Sequence, residues 1–305
     1  MRFLGFLAAF TATLYLASPA FAWNATGHRI IAAIAYERLT PKTRARVDEL
    51  IQAHPDYQMW IRDAPSDPQA RARAAFLAAA VWADDIKGDP RFWDDTRKDA
   101  QPTPPVAGFP DMKRHTNWHY YDKPYTPDGA APHTPPVPNA LELVRLLKEI
   151  RHEPLAQAAY DLPWIEHITG DLAQPLHCVS RFLKSQPNGD AGGNFVFITP
   201  GRNLHALWDD AAGTDGSDAY VSKFAADAVA AHPAPERIDR NPMKWIDQGF
   251  EVARSEVYSF GIETGSREHP IQISPGYVEN ARRVAQSQIA LAGYRLAAVL
   301  NDRVK

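Results

Sequence analysis

Histidines and aspartates that recur at helical spacing are the residues of this chain best able to do chemistry. His167 and Asp171 are four residues apart, and so are His205 and Asp209, so the two side chains of each pair face the same way on a helix. Imidazole and carboxylate groups together suit zinc. Apolar neighbours such as Trp164 indicate that these side chains point into the protein interior, where buried polar groups need partners.

Further histidines and aspartates of the same kind bring the candidate ligands to eight. The full set is His28, Asp84, His119, His167, Asp171, His177, His205 and Asp209. Because zinc takes about four ligands in a structural site and about three in a catalytic one, eight are too many for one ion. They can fill three sites if one carboxylate bridges two ions. The alternative interpretation of each pair alone is a surface ion pair or a core hydrogen bond.

Trp23 offers ligand atoms of another kind if the chain is cut just before it. Residues 1–22 have the features of a secretory signal peptide: a positively charged N-terminal end at Arg2, an apolar run over 3–16 and the cleavage motif Ala20-Phe21-Ala22. Cleavage would free the α-amine of Trp23, which could bind a metal together with its own carbonyl oxygen and His28. The alternative is an ordinary buried aromatic residue behind a cleaved leader.

Composition limits the classes of function. The 305 residues are 45% hydrophobic and 23% charged, as in soluble globular proteins, and no later apolar run is long enough to span a membrane. The net charge is −3, and −4 once Arg2 leaves with the leader. Proteins that hold nucleic acid by side-chain cations alone are usually basic, so bound metal would have to supply positive charge for phosphates. The lone Cys178 cannot form an internal disulfide, and is either a buried thiol or a ligand beside His177.

Helical signals dominate the segments that must position these residues. Apolar periodicity and capping residues predict helices over 26–39, with Thr26 as its cap, and over 41–53, 139–151, 161–175 and 274–300. The best candidate strand is 195–198. We therefore predict a mainly α, multi-helix fold in which residues 23–305 form a single catalytic domain.

Taken together, the motifs resemble the zinc-dependent single-strand nuclease/3′-nucleotidase family of fungi and plants, which has bacterial members and shares a superfamily with zinc phospholipase C. The resemblance covers Trp23 to about Asp210 and part of the C-terminal helix. It rests on Trp23, Gly27-His28, Trp82-Ala-Asp84, Trp118-His-Tyr120, His167-x3-Asp171-x2-Gln174-Pro-Leu-His177, Gly192-Gly-Asn194 and Asn203-Leu-His205-x3-Asp209. It implies a phospholipase C/nuclease-like fold with a trinuclear zinc cleft.

Three zinc ions per chain are implied by the resemblance, with Asp171 as a bridge. The ligands implied for the first ion are Asp84, His119, His167 and one oxygen of Asp171. Those implied for the second are His177, His205 and Asp209. Those implied for the third are the amine and carbonyl of Trp23, His28 and the other oxygen of Asp171.

The resemblance also implies roles for residues beside the ions. Lys87 matches a basic residue near the scissile phosphate and joins Asp84 and Asp171 in the implied catalytic set. A base pocket, in which an aromatic ring stacks on the base while an acid and an amide read its edge, is implied for Tyr120, Asp122 and Asn194. Phenylalanine is familiar at the aromatic position, but tyrosine should also stack.

The function implied is an exported, monomeric phosphoesterase, periplasmic or extracellular, that cleaves P–O3′ bonds of single-stranded DNA and RNA to 5′-phosphate products. Removal of 3′-phosphates from nucleotides is implied as well. Two alternatives stay open. A zinc phospholipase C would carry glutamate where this chain has Asp209. A non-catalytic exported zinc-binding protein would need neither an open coordination position nor a base pocket.

Overall fold

The structure is a computed structural model that describes residues 23–132, 138–261 and 263–304. The signal peptide predicted over residues 1–22 lies outside the described residues. Within the described ranges, no helix is both long enough and apolar enough to cross a membrane.

Helices make up most of the described chain, which confirms the prediction of a mainly α fold. In the described ranges they are α1 Ala25–Tyr36, α2 Pro41–Ala53, α3 Tyr57–Trp60, α4 Pro68–Ala79, α5 Trp82–Asp85, α6 Asn139–Glu149, α7 Leu155–Asp171, α8 Leu204–Asp209, α9 Asp218–Ala231, α10 Pro242–Val252 and α11 Pro275–Arg303. Short 3-10 turns run over Thr116–Trp118 and Pro175–Cys178, and a π-helical turn over Ala253–Val257.

Four short strands support the loops between the helices. They are β1 Pro124–Tyr125, β2 Ser180–Arg181, β3 Phe197–Ile198 and β4 Arg202–Asn203. The parallel pair β1–β2 joins the segment after His119 to the segment after His177, and the backbone N–H of Tyr121 donates to the carbonyl of His177 over 2.8 Å. Strands β3 and β4 form an antiparallel hairpin. The strand predicted over 195–198 is therefore shorter than expected.

The sequence predicts some of the helix-capping residues but not all of them. Thr40 caps α2 through a hydrogen bond from the backbone N–H of Thr43, as the pattern predicts. Helix α1, however, is capped by Asn24 and not by Thr26. The Asn24 side chain accepts from the N–H of Gly27 and donates to Asp210, so a distant contact selects the cap.

Helix α7 is packed against other helices on several sides. It contacts α1, α2, α5, α6 and α11, and every residue from Ala158 to Asp171 is buried. The prediction that it opens at 161–163 is wrong: it begins at Leu155 and carries Pro163 inside. A proline inside a helix removes one backbone hydrogen bond. Packing on all sides keeps the helix continuous here.

Helices α1 and α11 approach each other closely at Gly293. A Cβ atom at this position would lie 2.6 Å from Cβ of Ile34 and 3.2 Å from the carbonyl oxygen of Ile31. Both distances are shorter than ordinary van der Waals contact, so only glycine fits between the two backbones. The contact fixes α1, and therefore His28, against the body of the protein.

We expect Gly293→Ala to lower the free energy of unfolding by about 1–3 kcal/mol, the usual cost of forcing extra volume into a packed core. The measurement is urea unfolding at equal zinc content. Gly276→Ala in the same helix is the control, because its nearest neighbour would be the Ser274 hydroxyl at 3.8 Å. Equal stability of the two variants would contradict the close packing of α1 on α11.

Candidate metal centre

Six separate segments bring the eight predicted side chains together in the protein interior. They are α1 with His28, α5 with Asp84, the loop after the first 3-10 turn with His119, α7 with His167 and Asp171, the second 3-10 turn with His177, and α8 with His205 and Asp209. All eight side chains are buried. Buried imidazoles and carboxylates this numerous need partners that the apolar core cannot provide.

Asp171 lies at the middle of this group, and its two oxygens face different histidines. Oδ1 lies 3.4 Å from Nε2 of His28. Oδ2 lies 3.3 Å from Nδ1 of His119 and 3.4 Å from Nε2 of His167. One carboxylate therefore touches two sets of potential ligands, which is the geometry a bridging ligand requires.

Distances inside the groups match those between ligands of one ion. Two nitrogens at about 2.0–2.1 Å from a tetrahedral zinc lie roughly 3.4 Å apart. Nδ1 of His119 is 3.0 Å from Nε2 of His167, and Oδ1 of Asp84 is 3.6 Å from the same Nε2. In the second group, Nε2 of His205 is 3.1 Å from Nε2 of His177 and 3.6 Å from Oδ2 of Asp209.

Backbone carbonyls orient three of the imidazole rings. Because a carbonyl oxygen can only accept, the ring Nδ1 that contacts it must carry the proton, and Nε2 keeps its lone pair for a metal. The contacts are His167 to Ala80 (2.8 Å), His177 to His119 (2.7 Å) and His205 to Gly192 (2.6 Å). In His119 it is Nδ1 that faces the carboxylates of Asp84 and Asp171.

Gly170 allows the His28 ring to lie against α7. A Cβ at this position would be 2.7 Å from Nδ1 of His28 and 2.8 Å from its Cε1. The ring of His28 stacks on that of His167 with a centroid distance of 4.0 Å. Residue 170 must therefore be glycine for His28 to reach Asp171.

Gln174 is a positioning residue to which we assigned no role from the sequence. It is fully buried; its Nε2 donates to Oδ1 of Asp209 over 2.7 Å, and its Oε1 accepts from the backbone N–H of Leu176. The amide thus fixes Asp209 with its second oxygen towards His205. The only signal in the sequence is the position of Gln174 between Asp171 and His177.

Several buried atoms of the centre have no hydrogen-bond partner. They are both oxygens of Asp171, both ring nitrogens of His28, Oδ2 of Asp84 and Nε2 of His119. Burial raises the pKa of Asp171 to about 8 and lowers the pKa of His28 to about 4. Such unpaired atoms are costly in a dry core, whereas a cation can satisfy several at once. The residues present therefore fit metal ions.

Three groups of described residues could each hold a metal ion. They are His28 with Asp84 and His167, His119 with His167 and Asp171, and His177 with His205 and Asp209. The last is the second set that the family resemblance implies. The other two share His167. His28 thus lies close to Asp84 in one group, and it is also 3.4 Å from Asp171, the partner that the resemblance implies.

Lys87 lies directly beside the centre. Its Nζ contacts Oδ1 of Asp84 at 2.6 Å, and both side chains are largely buried. Burial acts to raise the pKa of Asp84, but the positive charge of Lys87 and the nearby histidines outweigh it and hold the pKa at about 2. Asp84 therefore stays ionised at neutral pH.

The three residues predicted to bind a base are partly exposed and lie on two segments that also carry metal-centre contacts. Tyr120 and Asp122 follow His119, and Asn194 follows the loop whose Gly192 carbonyl orients His205. Among the described residues, no hydrogen bond joins the three side chains to one another. Burial and the nearby charge of Asp190 raise the pKa of Asp122 to about 6.

A cavity of about 300 Å³ opens onto the centre, with Asp84 and Asp209 in its wall. Asn24 lines the same cavity, and its backbone N–H donates to the carbonyl of Asp209 over 3.2 Å. The preceding residue, Trp23, is fully buried. The start of the described chain therefore lies next to the metal centre.

Cys178 is a buried thiol and not part of the three groups. Its Sγ lies 3.6 Å from the carbonyl oxygen of Leu172, and burial raises its pKa to about 12. A thiol in this environment stays protonated, which favours the inert role over that of a ligand.

Comparison with known proteins agrees with this geometry. The sequence profile described as S1/P1 Nuclease matches residues 23–305. The chain belongs to the S1/P1 nuclease family. It is also similar to "Nuclease S1" of Aspergillus oryzae (strain ATCC 42149 / RIB 40), with 28% identity over 166 residues, which are 48% of this chain and 55% of that protein. The match thus spans about half of the length of the curated relative. The resemblance inferred from the motifs is confirmed at the level of the family.

We expect Asp171→Asn to remove more than one metal ion per chain, because the carboxylate faces two sets of ligands. Elemental analysis of the purified, dialysed protein measures this directly. Asp161→Asn is the matched control, since Asp161 is also buried on α7 but lies outside the three groups. A loss of one ion or none in Asp171→Asn would exclude the bridging position.

Proposed function

We propose that this chain is a zinc-dependent phosphodiesterase that cleaves P–O3′ bonds of single-stranded DNA and RNA and leaves 5′-phosphate products. We also propose that it removes 3′-phosphates from nucleotides. The observation that carries the proposal is the buried carboxylate of Asp171, whose unpaired oxygens face two sets of imidazoles beside a cavity walled by Asp84 and Asp209. Membership of the S1/P1 nuclease family supports it.

Zinc is the metal we propose, with three ions per chain. The donors are imidazole nitrogens and carboxylate oxygens without a thiolate, which suits zinc better than calcium or magnesium. His28, Asp84, His119, His167, Asp171, His177, His205 and Asp209 supply the side-chain ligands. Trp23 would complete the set with its backbone atoms.

The chain's own charged residues prepare the cavity for a phosphate. Bound zinc supplies a Lewis acid for the phosphoryl oxygens and lowers the pKa of water to about 7, so that a nucleophile is available at neutral pH. Lys87 adds a fixed positive charge at Asp84, where it would offset charge that develops on the phosphoryl oxygens. Three divalent cations would outweigh the three ligand aspartates, so a chain whose net charge is −4 without its leader can still attract phosphate here.

Preference for single strands follows from the proposed base pocket. Tyr120 supplies an aromatic face. The pKa of Asp122 is about 6, which is below neutral pH, so most of this carboxyl group is ionised there. The carboxylate can then accept a hydrogen bond from a base amino group. Asn194 offers both a donor and an acceptor. A base in a duplex must leave its stack to reach this pocket, which costs a few kcal/mol.

The proposal also includes export of the protein. We propose that residues 1–22 are a cleaved leader and that residues 23–305 form one catalytic domain that works as a monomer in the periplasm or outside the cell. Two observations support cleavage before Trp23: the family match begins at residue 23, and the backbone of Asn24 already binds that of Asp209 in the centre.

The test is digestion by the secreted, zinc-loaded protein of four substrates: single-stranded DNA, the same sequence as a duplex, a 3′-nucleotide and phosphatidylcholine vesicles. We expect the single strand to be cut at least about tenfold faster than the duplex, because unstacking costs a few kcal/mol. Release of phosphate from the 3′-nucleotide is expected as well. Release of phosphocholine alone would instead support a phospholipase C, and zinc binding without any hydrolysis would support a non-catalytic protein.

Variants of Tyr120 serve as the internal control for the base pocket. Tyr120→Ala should raise KM for single strands while zinc content stays unchanged, and Tyr120→Phe should behave like the parent because the ring remains. Unchanged kinetics of Tyr120→Ala would remove this residue from the pocket.

An additional residue before Trp23 should impair metal binding. We expect a chain that begins with Ala-Trp23 to hold about one zinc ion less than a chain that begins with Trp23, because the α-amine then lies one residue away. The zinc count is compared by elemental analysis, with one alanine added after Lys305 as the control. Equal zinc in all three proteins would make the amine of Trp23 irrelevant.

A further inference from the structure

A buried carboxylate to which the proposed function gives no role lies behind the loop that carries Asn194. Asp190 is fully buried. Its Oδ1 accepts from the backbone N–H of Arg181 over 2.9 Å, and its Oδ2 accepts from the hydroxyl of Tyr258 over 2.9 Å. These three residues lie outside the metal-binding groups. Because a buried charge is costly, the carboxylate depends on these partners.

Arg181 ties the carboxylate to the segment that follows the π-helical turn. Its side chain is fully buried, with Nε 3.6 Å from Oδ2 of Asp190. The guanidinium donates to the carbonyls of Gly261 and Glu263 over 2.7 and 2.8 Å, and it covers the ring of Tyr258 at 4.7 Å. Burial raises the pKa of Asp190, but the N–H and the positive charge of Arg181 oppose that rise. Asp190 is therefore held by charge as well as by hydrogen bonds.

The loop that begins at Asp190 has a strained backbone. Ala191 has a φ of 51°, and the glycines at 192 and 193 have φ values of 61° and 79°. Glycine adopts this left-handed region freely, whereas alanine is strained there. The carbonyl oxygen of Asp190 also accepts from the N–H of Phe195 over 3.1 Å, which closes the loop. Asp190 therefore anchors a loop that would not keep this shape by itself.

Two functional groups depend on the shape of this loop. The carbonyl oxygen of Ala191 accepts from Nδ2 of Asn194 over 2.8 Å, and this contact orients the amide that we assign to base recognition. The carbonyl oxygen of Gly192 contacts Nδ1 of His205 at 2.6 Å. A rotation of the peptide units after Asp190 would move both carbonyls. His205 is also fixed by its place on α8, so the amide of Asn194 is the more sensitive of the two.

We propose that Asp190 is a positioning residue for base recognition, whose buried carboxylate holds the loop so that the amide of Asn194 faces the base. This inference rests on the proposed function, because it needs the base pocket. It extends that function to a residue outside both the pocket and the metal-binding groups. Asp190 should therefore affect a substrate through its base and not through its scissile bond.

The charge of Asp190 offers a readout that loop shape alone would not change. Burial and this charge raise the pKa of Asp122 to about 6. Titratable groups on the same segment as Asp122 are Tyr120 and Lys123, and Lys123 pairs with Asp247 of α10 over 2.6 Å. Removal of the charge at residue 190 should lower the pKa of Asp122. Base binding, which needs the ionised form, would then persist to a lower pH.

The test compares two substrates with the same scissile bond, adenosine 3′-phosphate and ribose 3-phosphate, which lacks the base. In Asp190→Asn the amide nitrogen cannot accept from Tyr258, so KM for the nucleotide should rise about tenfold. KM and kcat for ribose 3-phosphate, and the zinc content, should stay unchanged. The ratio of the two kcat/KM values should fall off at a lower pH than in the parent. Tyr258→Phe removes a hydrogen bond but no charge, so it should raise the same KM without that shift.

Tyr294→Phe is the matched control for these variants. Tyr294 is also a buried tyrosine whose hydroxyl donates to a carbonyl, that of His232 over 2.7 Å, but it lies on α11 outside the loop and the pocket. Its kinetic values should equal those of the parent. An unchanged KM for the nucleotide in Asp190→Asn would overturn the proposal, and so would an equal loss of activity on both substrates.

Hydrogen exchange separates failure of this inference from failure of the proposed function. If the zinc-loaded parent hydrolyses neither substrate, the proposed function fails. Exchange of the N–H of Phe195, which donates to the carbonyl of Asp190, then decides whether the carboxylate holds the loop. Exchange about tenfold faster in Asp190→Asn and Tyr258→Phe, but not in Tyr294→Phe, supports the positioning role. Exchange at the parent rate in both variants overturns it.

Discussion

The burial of Asp171 among imidazoles is the constraint on which the rest of the structure depends. A carboxylate in a dry core with both oxygens unpaired is unstable unless cations lie beside it. Helix α7 can hold it there because the helix is packed on all sides, and Gly170 lets His28 approach from α1. The close contact at Gly293 fixes α1 in turn. Packing that looks remote from the chemistry thus sets the position of the ligands.

Loops complete the centre, and their stability comes from backbone contacts more than from regular structure. The carbonyls of Ala80, His119 and Gly192 orient three rings, and the short β1–β2 pair ties two of these segments together. The same loops end in the partly exposed residues of the proposed base pocket. Orientation of the ligands and presentation of the pocket therefore depend on the same backbone.

Part of the buried group of histidines and aspartates could be predicted from the sequence, because His167 with Asp171 and His205 with Asp209 depend on residue type and on a spacing of four along a helix. Features decided by distant contacts could not. The cap of α1 is Asn24 because its side chain also reaches Asp210, and α7 contains Pro163 because the surrounding core supports it. The role of Gln174 depends on Asp209, which lies 35 residues further along the chain. Motif spacing was enough to identify the family, because the motifs combine residue type with short distances along the chain.

The most direct test of the metal centre is a crystal structure of the secreted protein with anomalous data at the zinc edge. We predict three anomalous peaks, each about 2.0–2.2 Å from imidazole or carboxylate atoms, with one oxygen of Asp171 on each of two ions. A single peak, or peaks that do not touch Asp171, would contradict it, because the unpaired carboxylate would then be part of a metal-free polar core.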